Sequence, residues 1–135
     1  MAKESGLGLT VAVDDHGGSA RTISNDIVSL NWTMPSGVQE ITGVNNSGME
    51  RLLLIADFSV TLEGVTNFSA DNSHDVFKTV NLTSVVRTVT LTHSGQILAN
   101  EVMFNDYDMH RNADGSRTWT APGELSSTTV PVWTT

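Results

Sequence analysis

Residues 39–67 read QEITGVNNSGMERLLLIADFSVTLEGVTN and contain a polar loop, a short ambiguous segment and a two-faced strand, in that order. From Ala56 onward apolar and polar residues alternate. The apolar side carries Ala56, Phe58, Val60 and Leu62, and the polar side carries Asp57, Ser59, Thr61 and Glu63. This pattern predicts a β-strand with one face in the core and the other in water. The polar side has two acids and no base, and the function depends on what it faces.

The length and composition predict one domain covering residues 1–135. A chain of 135 residues buries roughly 68% of its unfolded surface, which is enough for a single core. The net charge of −8 argues against a basic patch that binds nucleic acid. The absence of cysteine excludes disulfides and thiolate zinc sites. The N-terminus lacks the apolar region of a secretory signal, and the longest apolar run, residues 52–56, is too short to cross a bilayer. We expect a soluble protein without membrane insertion, made in the cytoplasm.

The rest of the chain predicts a mainly β fold, because β-branched residues are abundant and apolar residues alternate in several runs. The predicted strands cover residues 7–13, 28–34, 56–64, 85–93, 96–109 and 116–120, with an edge strand within 125–135. One short α-helix is predicted over residues 73–80, where Val76, Phe77 and Val80 have helical spacing. The fold class is therefore a small antiparallel β-sandwich or barrel with one short helix.

Residues 47–55 fit two structures. Ser47 and Glu50 form a capping box that can start a short helix through Leu54. A single strand over residues 49–65 would instead span about 55 Å, whereas a globule of this length has a radius of gyration of only about 14 Å. Either the helix forms or the strand needs a neighbour.

No pattern in the chain predicts catalysis. Asp106, Asp108 and His110 alternate on one strand and form the best metal candidate, but a wet strand face beside a turn explains them better. The nucleophile elbow, the phosphate-binding loop and the zinc-protease motif are all missing from the sequence. We expect no enzyme activity, no metal site and no cofactor.

The aromatic residues offer an alternative function. Trp32 continues the apolar parity of its strand, so we expect it in the core. Trp119, Trp133 and Tyr107 could instead form a platform that stacks against sugars. The alternative is therefore a monomeric β-sandwich module that binds carbohydrate or another ligand.

The order of several short segments resembles that of phage major tail tube proteins. These segments are EITG at 40–43, MER at 49–51, FSVTLEG at 58–64, DVF at 75–77 and GSRTWT at 115–120. Taken together, the resemblance covers roughly residues 7–133, nearly the whole chain. None of the segments is a catalytic signature, so their order and spacing carry the resemblance.

This resemblance implies a structural virion protein of the tail. Its inner sheet would join those of neighbouring copies into a tube of stacked hexameric rings, which conducts DNA without binding it specifically. The stretch 35–50 would be a loop that reaches the next ring, and it includes Glu40, Thr42, Gly43, Asn45 and Asn46. Asp57, Ser59, Thr61 and Glu63 would face the lumen, although the sequence equally allows them to face the outside of the tube. Expected partners are further copies of the chain, a tape-measure protein and other tail proteins.

Overall fold

The computed structural model describes residues 5–82 and 84–135 and contains eleven strands, one α-helix and one short 3-10 helix in those ranges. The strands are β1 Thr10–Asp14, β2 Ala20–Thr22, β3 Ile27–Thr33, β4 Ser36–Glu40, β5 Arg51–Ala56, β6 Ser59–Val65, β7 Arg87–His93, β8 Gln96–Phe104, β9 Asp108–Arg111, β10 Arg117–Leu125 and β11 Trp133–Thr134. The α-helix, α1, covers Ser73–Phe77, and the 3-10 helix covers Ser24–Asp26. The expected fold class is confirmed: the protein is a small, mainly β sandwich with antiparallel strand pairing.

Nine of the strands form one curved sheet, and the other two form a separate hairpin. The main path runs β2-β1-β7-β8-β10-β6-β3, while β9 pairs with β10 and β11 pairs with β8. Strands β4 and β5 pair only with each other. They continue directly from β3 and into β6, so the hairpin is the outer half of one long β-ribbon. The inner half of the ribbon, β3 and β6, covers the core, and the outer half, β4 and β5, projects away from it.

The core lies inside the curved sheet and is closed at one end by α1. Val76 and Phe77 of α1 are fully buried, and the Phe77 ring contacts those of Phe104 and Trp119 with centroids 5.2 and 5.1 Å away. The buried Arg87 donates hydrogen bonds to the Val76 carbonyl and, at 3.1 Å, to Thr79 Oγ1. A side chain of β7 therefore fastens the helix to the sheet.

Two predicted strands differ in detail from the structure. In β3 the register shifts between Ile27 and Ser29, so Val28 leaves the apolar side and is 75% exposed. Leu30 and Trp32 keep the predicted parity and pack, partly buried, against the core. The predicted strand 96–109 is broken between β8 and β9 and does not continue as one element. The alternation of apolar and polar residues predicts these strands correctly. The register shift in β3 and the break between β8 and β9 depend on neighbouring strands.

In the ambiguous segment at residues 47–55, the strand covers residues from 51 onward, residues 47–50 belong to the hairpin tip, and the helix alternative is wrong. Strand β5 begins at Arg51 and pairs with β4 along Val38–Leu53, Gln39–Leu52 and Glu40–Arg51. The chain bends at residues 57 and 58 before β6, so the long ribbon is two strands and not one. The required neighbour is thus β4, which the sequence analysis had placed in a loop.

Candidate assembly surfaces

A four-stranded part of the main sheet has a polar outer face. It consists of β3, β6, β10 and β9 in that order, because β10 pairs with β6 on one side and with β9 on the other. Directly opposite residues in an antiparallel ladder lie on the same face. The register therefore places Ser29, Glu63, Thr120 and Asp108 in one row across all four strands.

The neighbouring rows extend this polar face, as we call it, along the strands. They add Asn31, Thr33, Ser59, Thr61, Thr118, Glu124 and His110, together with the apolar Val65 and Pro122. No lysine or arginine occupies any of these positions. The polar face is therefore hydrophilic and acidic, and its opposite side covers the core through residues such as Val60, Leu62 and Trp119.

The four residues predicted to face a lumen lie in two different parts of the structure. Ser59, Thr61 and Glu63 share the polar face of β6, and Ser59 Oγ lies 3.3 Å from Thr33 Oγ1 of β3. Asp57 precedes β6, and its Oδ1 accepts a hydrogen bond of 2.7 Å from the amide of Phe58. The Asp57 amide donates to the Pro35 carbonyl at 2.8 Å. Asp57 therefore holds the bend between hairpin and sheet, while the other three belong to the face itself.

Strand β3 on one side and strand β9 on the other have open edges in the described structure, whereas residues 123–125 of β10, beyond β9, pair with β8. Strand β3 pairs with β6 only, and β9 pairs with β10 only. A free edge presents unpaired N–H and C=O groups that form a ladder readily with another strand. Strands β3 and β9 run in opposite directions, because each strand in the unit is antiparallel to the next.

The residues predicted for an inter-ring loop lie at the tip of the β4–β5 hairpin. Glu40 ends β4 opposite Arg51, and Thr42 Oγ1 accepts a hydrogen bond of 2.8 Å from the amide of Glu50. The Gly43 carbonyl accepts from the amide of Asn46 at 3.1 Å, and Asn45 lies inside this turn. The predicted stretch 35–50 thus comprises strand β4 and an ordered tip.

The hairpin exposes apolar side chains on both of its faces. Val38, Leu53 and Ile55 belong to one face, and Ile41, Leu52 and Leu54 to the other. Leu53 is 72% exposed and Ile55 is 89% exposed. Contiguous apolar runs in strands are typical of strands covered on both faces, and an exposed apolar patch of this kind marks an interaction site.

The candidate metal ligands do not converge. Asp108 and His110 are exposed on the polar face of β9, and Asp106 precedes that strand. Within residues 5–82 and 84–135, no three acidic or histidine side chains are close enough together to hold a metal ion. Likewise, no helix in the described ranges has the length and apolar character needed to span a membrane.

The predicted aromatic platform is wrong, because two of its three members belong to the interior. Trp119 is 1% exposed, and its Nε1 donates a hydrogen bond of 3.0 Å to the Val65 carbonyl. Tyr107 stacks on Phe77 with ring centroids 5.7 Å apart, and its burial raises the pKa of the phenol to about 12. These rings stabilise the junction between sheet and helix and cannot stack on a sugar.

Trp133 has a different aromatic partner. Its ring centroid lies 6.4 Å from that of Trp32, and both tryptophans line an open cavity of about 610 Å³ with Leu9, His93, Ser94 and Gln96. No local pattern in the sequence predicts this pair, because β11 meets β8 at Leu98 only when the end of the chain returns to the sheet. The two-sided hairpin was also missed, although the uninterrupted LLLI run of β5 was a usable signal for it.

Comparisons with solved structures show what fold this is. The chain matches one from the tail of an empty gene transfer agent (GTA) particle with C6 symmetry, at TM-score 0.79 and 15% identity, covering 98% of this chain and 100% of that one. It also matches a chain of the native GTA virion at TM-score 0.77 and 14% identity, with coverage of 98% and 100%. A chain of the six-fold symmetrised anti-feeding prophage baseplate gives TM-score 0.62 at 12% identity, with coverage of 99% and 97%.

The fold is therefore one found in the tails of phage-like particles, and it extends over nearly the whole chain in all three cases. The resemblance inferred from the sequence is confirmed at the level of the fold. No family model matches the chain, and no curated protein matches it by sequence.

Proposed function

We propose that this protein is a tail tube subunit, which assembles into stacked hexameric rings that form a conduit for DNA delivery. The observation that carries this proposal is the β4–β5 hairpin, whose apolar side chains are exposed on both faces. A monomer gains nothing from such an element, since removing apolar area from water contributes roughly 25 cal/mol per Å². Neighbouring copies of the protein would bury these apolar side chains.

The two open edges support closure into a ring. Pairing β9 of one copy with β3 of the next is a head-to-tail contact, which makes a ring when its rotation closes. Because β3 and β9 run in opposite directions, the new ladder would also be antiparallel and would continue the existing sheet. Closure would remove both edges at once, which is the protection an open β-sheet requires.

Six copies would give a barrel wide enough for a DNA duplex. The GTA tail chain belongs to a particle with C6 symmetry, and four strands from each of six copies make about 24 strands. At about 4.8 Å between strands and a tilt near 40°, the backbone diameter would be about 48 Å. With the core on the other side of the sheet, the polar face would line this channel.

An acidic lining suits passage of DNA. The polar face carries Glu63, Asp108 and Glu124 and no lysine or arginine that could replace the counterions of the phosphates. Repeated around the wall, these carboxylates would repel the duplex and prevent it from adhering. The protein would then be a virion component made in the host cytoplasm, with the tape-measure protein and other tail proteins as its further partners and no enzymatic role.

Electron microscopy of the purified protein tests the assembly directly. We expect six-fold rings or tubes in negative-stain images, and particles of several copies in light scattering coupled to size-exclusion chromatography. A protein that stays monomeric at high concentration, alone and with other tail proteins, would contradict the proposal.

The cavity at Trp32 and Trp133 favours a second candidate, a monomeric module that binds carbohydrate. Two tryptophans beside polar groups of Gln96 and Ser94 could stack on and hydrogen-bond a sugar ring. Titration with glycans, monitored by tryptophan fluorescence, separates the candidates. Binding that is lost in Trp133→Ala, by a protein that never assembles, would favour the second.

A further inference from the structure

Two arginines face each other at the turn between β9 and β10. Arg111 and Arg117 are directly opposite in the ladder, and both are exposed. Like charges placed opposite each other across an antiparallel pair destabilise it. In a chain with net charge −8, this arrangement concentrates positive charge where a neutral pair would be more stable.

No carboxylate of the described residues lies within 4 Å of either guanidinium, since the ion pairs found there involve only Arg21 and Lys78. Arg117 lies over the Phe68 ring at 5.4 Å from its centroid, and Arg111 donates to the Asn112 carbonyl at 3.4 Å. The nearest acid in the sequence is Asp114, but its Oδ1 accepts from Ser116 N at 3.0 Å and from Ser116 Oγ at 2.8 Å. The Asp114 carboxylate therefore forms its hydrogen bonds within the turn, and neither arginine has a carboxylate partner in the described ranges.

The arginine pair and the hairpin lie at opposite ends of the same strands. Glu124 of β10 pairs with Ser59 next to the hairpin base, whereas Thr118, the neighbour of Arg117, pairs with Val65 at the far end. The seven residues of β6 separate these ends by about 23 Å, and the five residues of β4 carry the hairpin about 17 Å beyond its base before the tip begins. When copies stack in one direction, the hairpin of one copy meets the arginine end of the next.

The hairpin tip offers the complementary charge. Glu50 is exposed and its carboxylate has no cation within 4 Å in the described ranges, whereas Glu40 is directly opposite Arg51 on the other face of the hairpin. We propose that Arg111 and Arg117 bind the Glu50 carboxylate of a second copy in the adjacent ring, so that this contact joins ring to ring. The inference rests on the proposed function and identifies the residues of its axial interface.

Neutral variants separate this role from a structural one. In Arg111→Gln/Arg117→Gln the repulsion within the turn is gone and the contact of Arg117 with Phe68 is lost, so the monomer should unfold at a denaturant concentration close to that of wild type. Tube growth should nevertheless require a protein concentration raised by roughly tenfold, because charge pairs between copies are lost. Lys78→Glu is the matched control: it changes the net charge by the same amount, at an exposed residue directly after α1.

Reversing the charge of both partners tests the pairing most directly. Arg111→Glu/Arg117→Glu and Glu50→Arg should each give single rings or short stacks, and the triple variant should recover long tubes. Near 1 M salt, where the screening length is about 3 Å, the variants and the wild type should converge. Tube lengths are measured by electron microscopy at fixed protein concentration, and folding of every variant is checked by circular dichroism.

Several outcomes would overturn the inference. Tubes of wild-type length in the arginine variants at low salt, or failure of the triple variant to recover when both parents form rings, would exclude this pairing. Loss of the rings themselves in a folded arginine variant would place the pair in a different interface. Wild-type protein without rings or tubes would instead contradict the proposed function, which keeps the two failures distinct.

Discussion

At the scale of single residues, the structure depends on close approaches that leave no room for a side chain. A Cβ at Gly64 would lie 1.8 Å from the Asp26 carbonyl oxygen and 2.9 Å from the Trp119 ring. This glycine lets β6 pass beneath the 3-10 helix and above the tryptophan. The buried Asp26 in turn accepts hydrogen bonds from Asn67 Nδ2 at 2.9 Å and from the amide of Ser73 at 3.1 Å, which connects the 3-10 helix to α1 and to the segment after β6.

Gly64→Ala should lower the free energy of unfolding by at least about 2 kcal/mol, because overpacking against backbone cannot relax by side-chain movement. Chemical denaturation of the purified monomer measures this change. Gly48→Ala is the control, since a Cβ there meets nothing within 4 Å. Equal stability of the two variants would show that β6 can shift away from Asp26.

Asp15 gives the protein an acid-sensitive contribution to stability. Its carboxylate accepts hydrogen bonds from Ser19 N at 3.0 Å and Gly17 N at 2.9 Å and pairs with Arg21 at 3.1 Å. The backbone hydrogen bond from Ser19, followed by the contacts to Arg21 and Gly17, lowers the pKa of Asp15 from its ordinary value of 3.8 against the opposing effect of burial.

Since the folded-state pKa is the lower one, this stabilisation is present above pH 3.8 and disappears as the pH falls through the folded-state value. Asp15→Asn should therefore be less stable than wild type at pH 7, and the difference should shrink on acidification below about 3.8. Urea denaturation of both proteins from pH 7 to pH 2.5 measures it. A difference that does not change with pH would exclude this origin.

At the scale of elements, the β4–β5 hairpin exposes apolar side chains that the monomer does not cover. Leu53 and Ile55 contribute little to the fold of the monomer because they are exposed. Their removal should consequently affect assembly and stability very differently, which distinguishes an interface from a core.

Leu53→Asp/Ile55→Asp should abolish rings and tubes while changing the stability of the monomer by no more than about 0.5 kcal/mol, as for other surface substitutions. Sedimentation velocity measures the assembly, and thermal unfolding measures the stability. Leu82→Asp, at a position that is also exposed but outside the hairpin, should assemble normally. Assembly of the double variant at wild-type concentrations would remove the hairpin from the interface.

The sequence predicts an element well when the pattern of that element's own residues decides which of its side chains are buried. The alternation in β6 correctly predicted which face covers the core, because Phe58, Val60 and Leu62 all pack inside the domain. The run Leu52 to Ile55 lacks a polar face, so periodicity alone could not separate a helix from a strand there. Trp119 was misassigned because its burial depends on Phe77 and Tyr107, which lie far away along the chain.

At the scale of the whole molecule, charge is distributed unevenly. The polar face holds acids without lysine or arginine, while Arg111 and Arg117 lie at the end of the strands farthest from the hairpin. In the proposed assembly, an acidic channel wall would repel DNA and the basic end would join successive copies.

A single charge reversal on the polar face tests the first purpose. Glu63→Lys should still form tubes but should retain DNA at low salt and release it as salt rises, because the new cations displace phosphate counterions. DNA retention is measured by co-sedimentation of tubes with duplex fragments over a salt series. Asp57 is left unchanged because its carboxylate holds the bend at Phe58.

Glu101→Lys is the matched control, because it adds the same charge at an exposed position on β8, which is not one of the four strands of the polar face. Equal retention of DNA by the two variants would mean that the polar face does not line the channel. The two measurements together therefore also decide between the lumen and the outside of the tube as the location of these acids.

The four-stranded unit has an even number of strands, and this has a consequence for symmetry. A unit bounded by strands of opposite direction meets its own copy with the same alternation at every junction, however many copies are present. An odd number would instead force parallel seams. The circumference of such an assembly is therefore free to vary with the bend angle between copies, and no new bonding pattern is needed for a wider or a narrower bore.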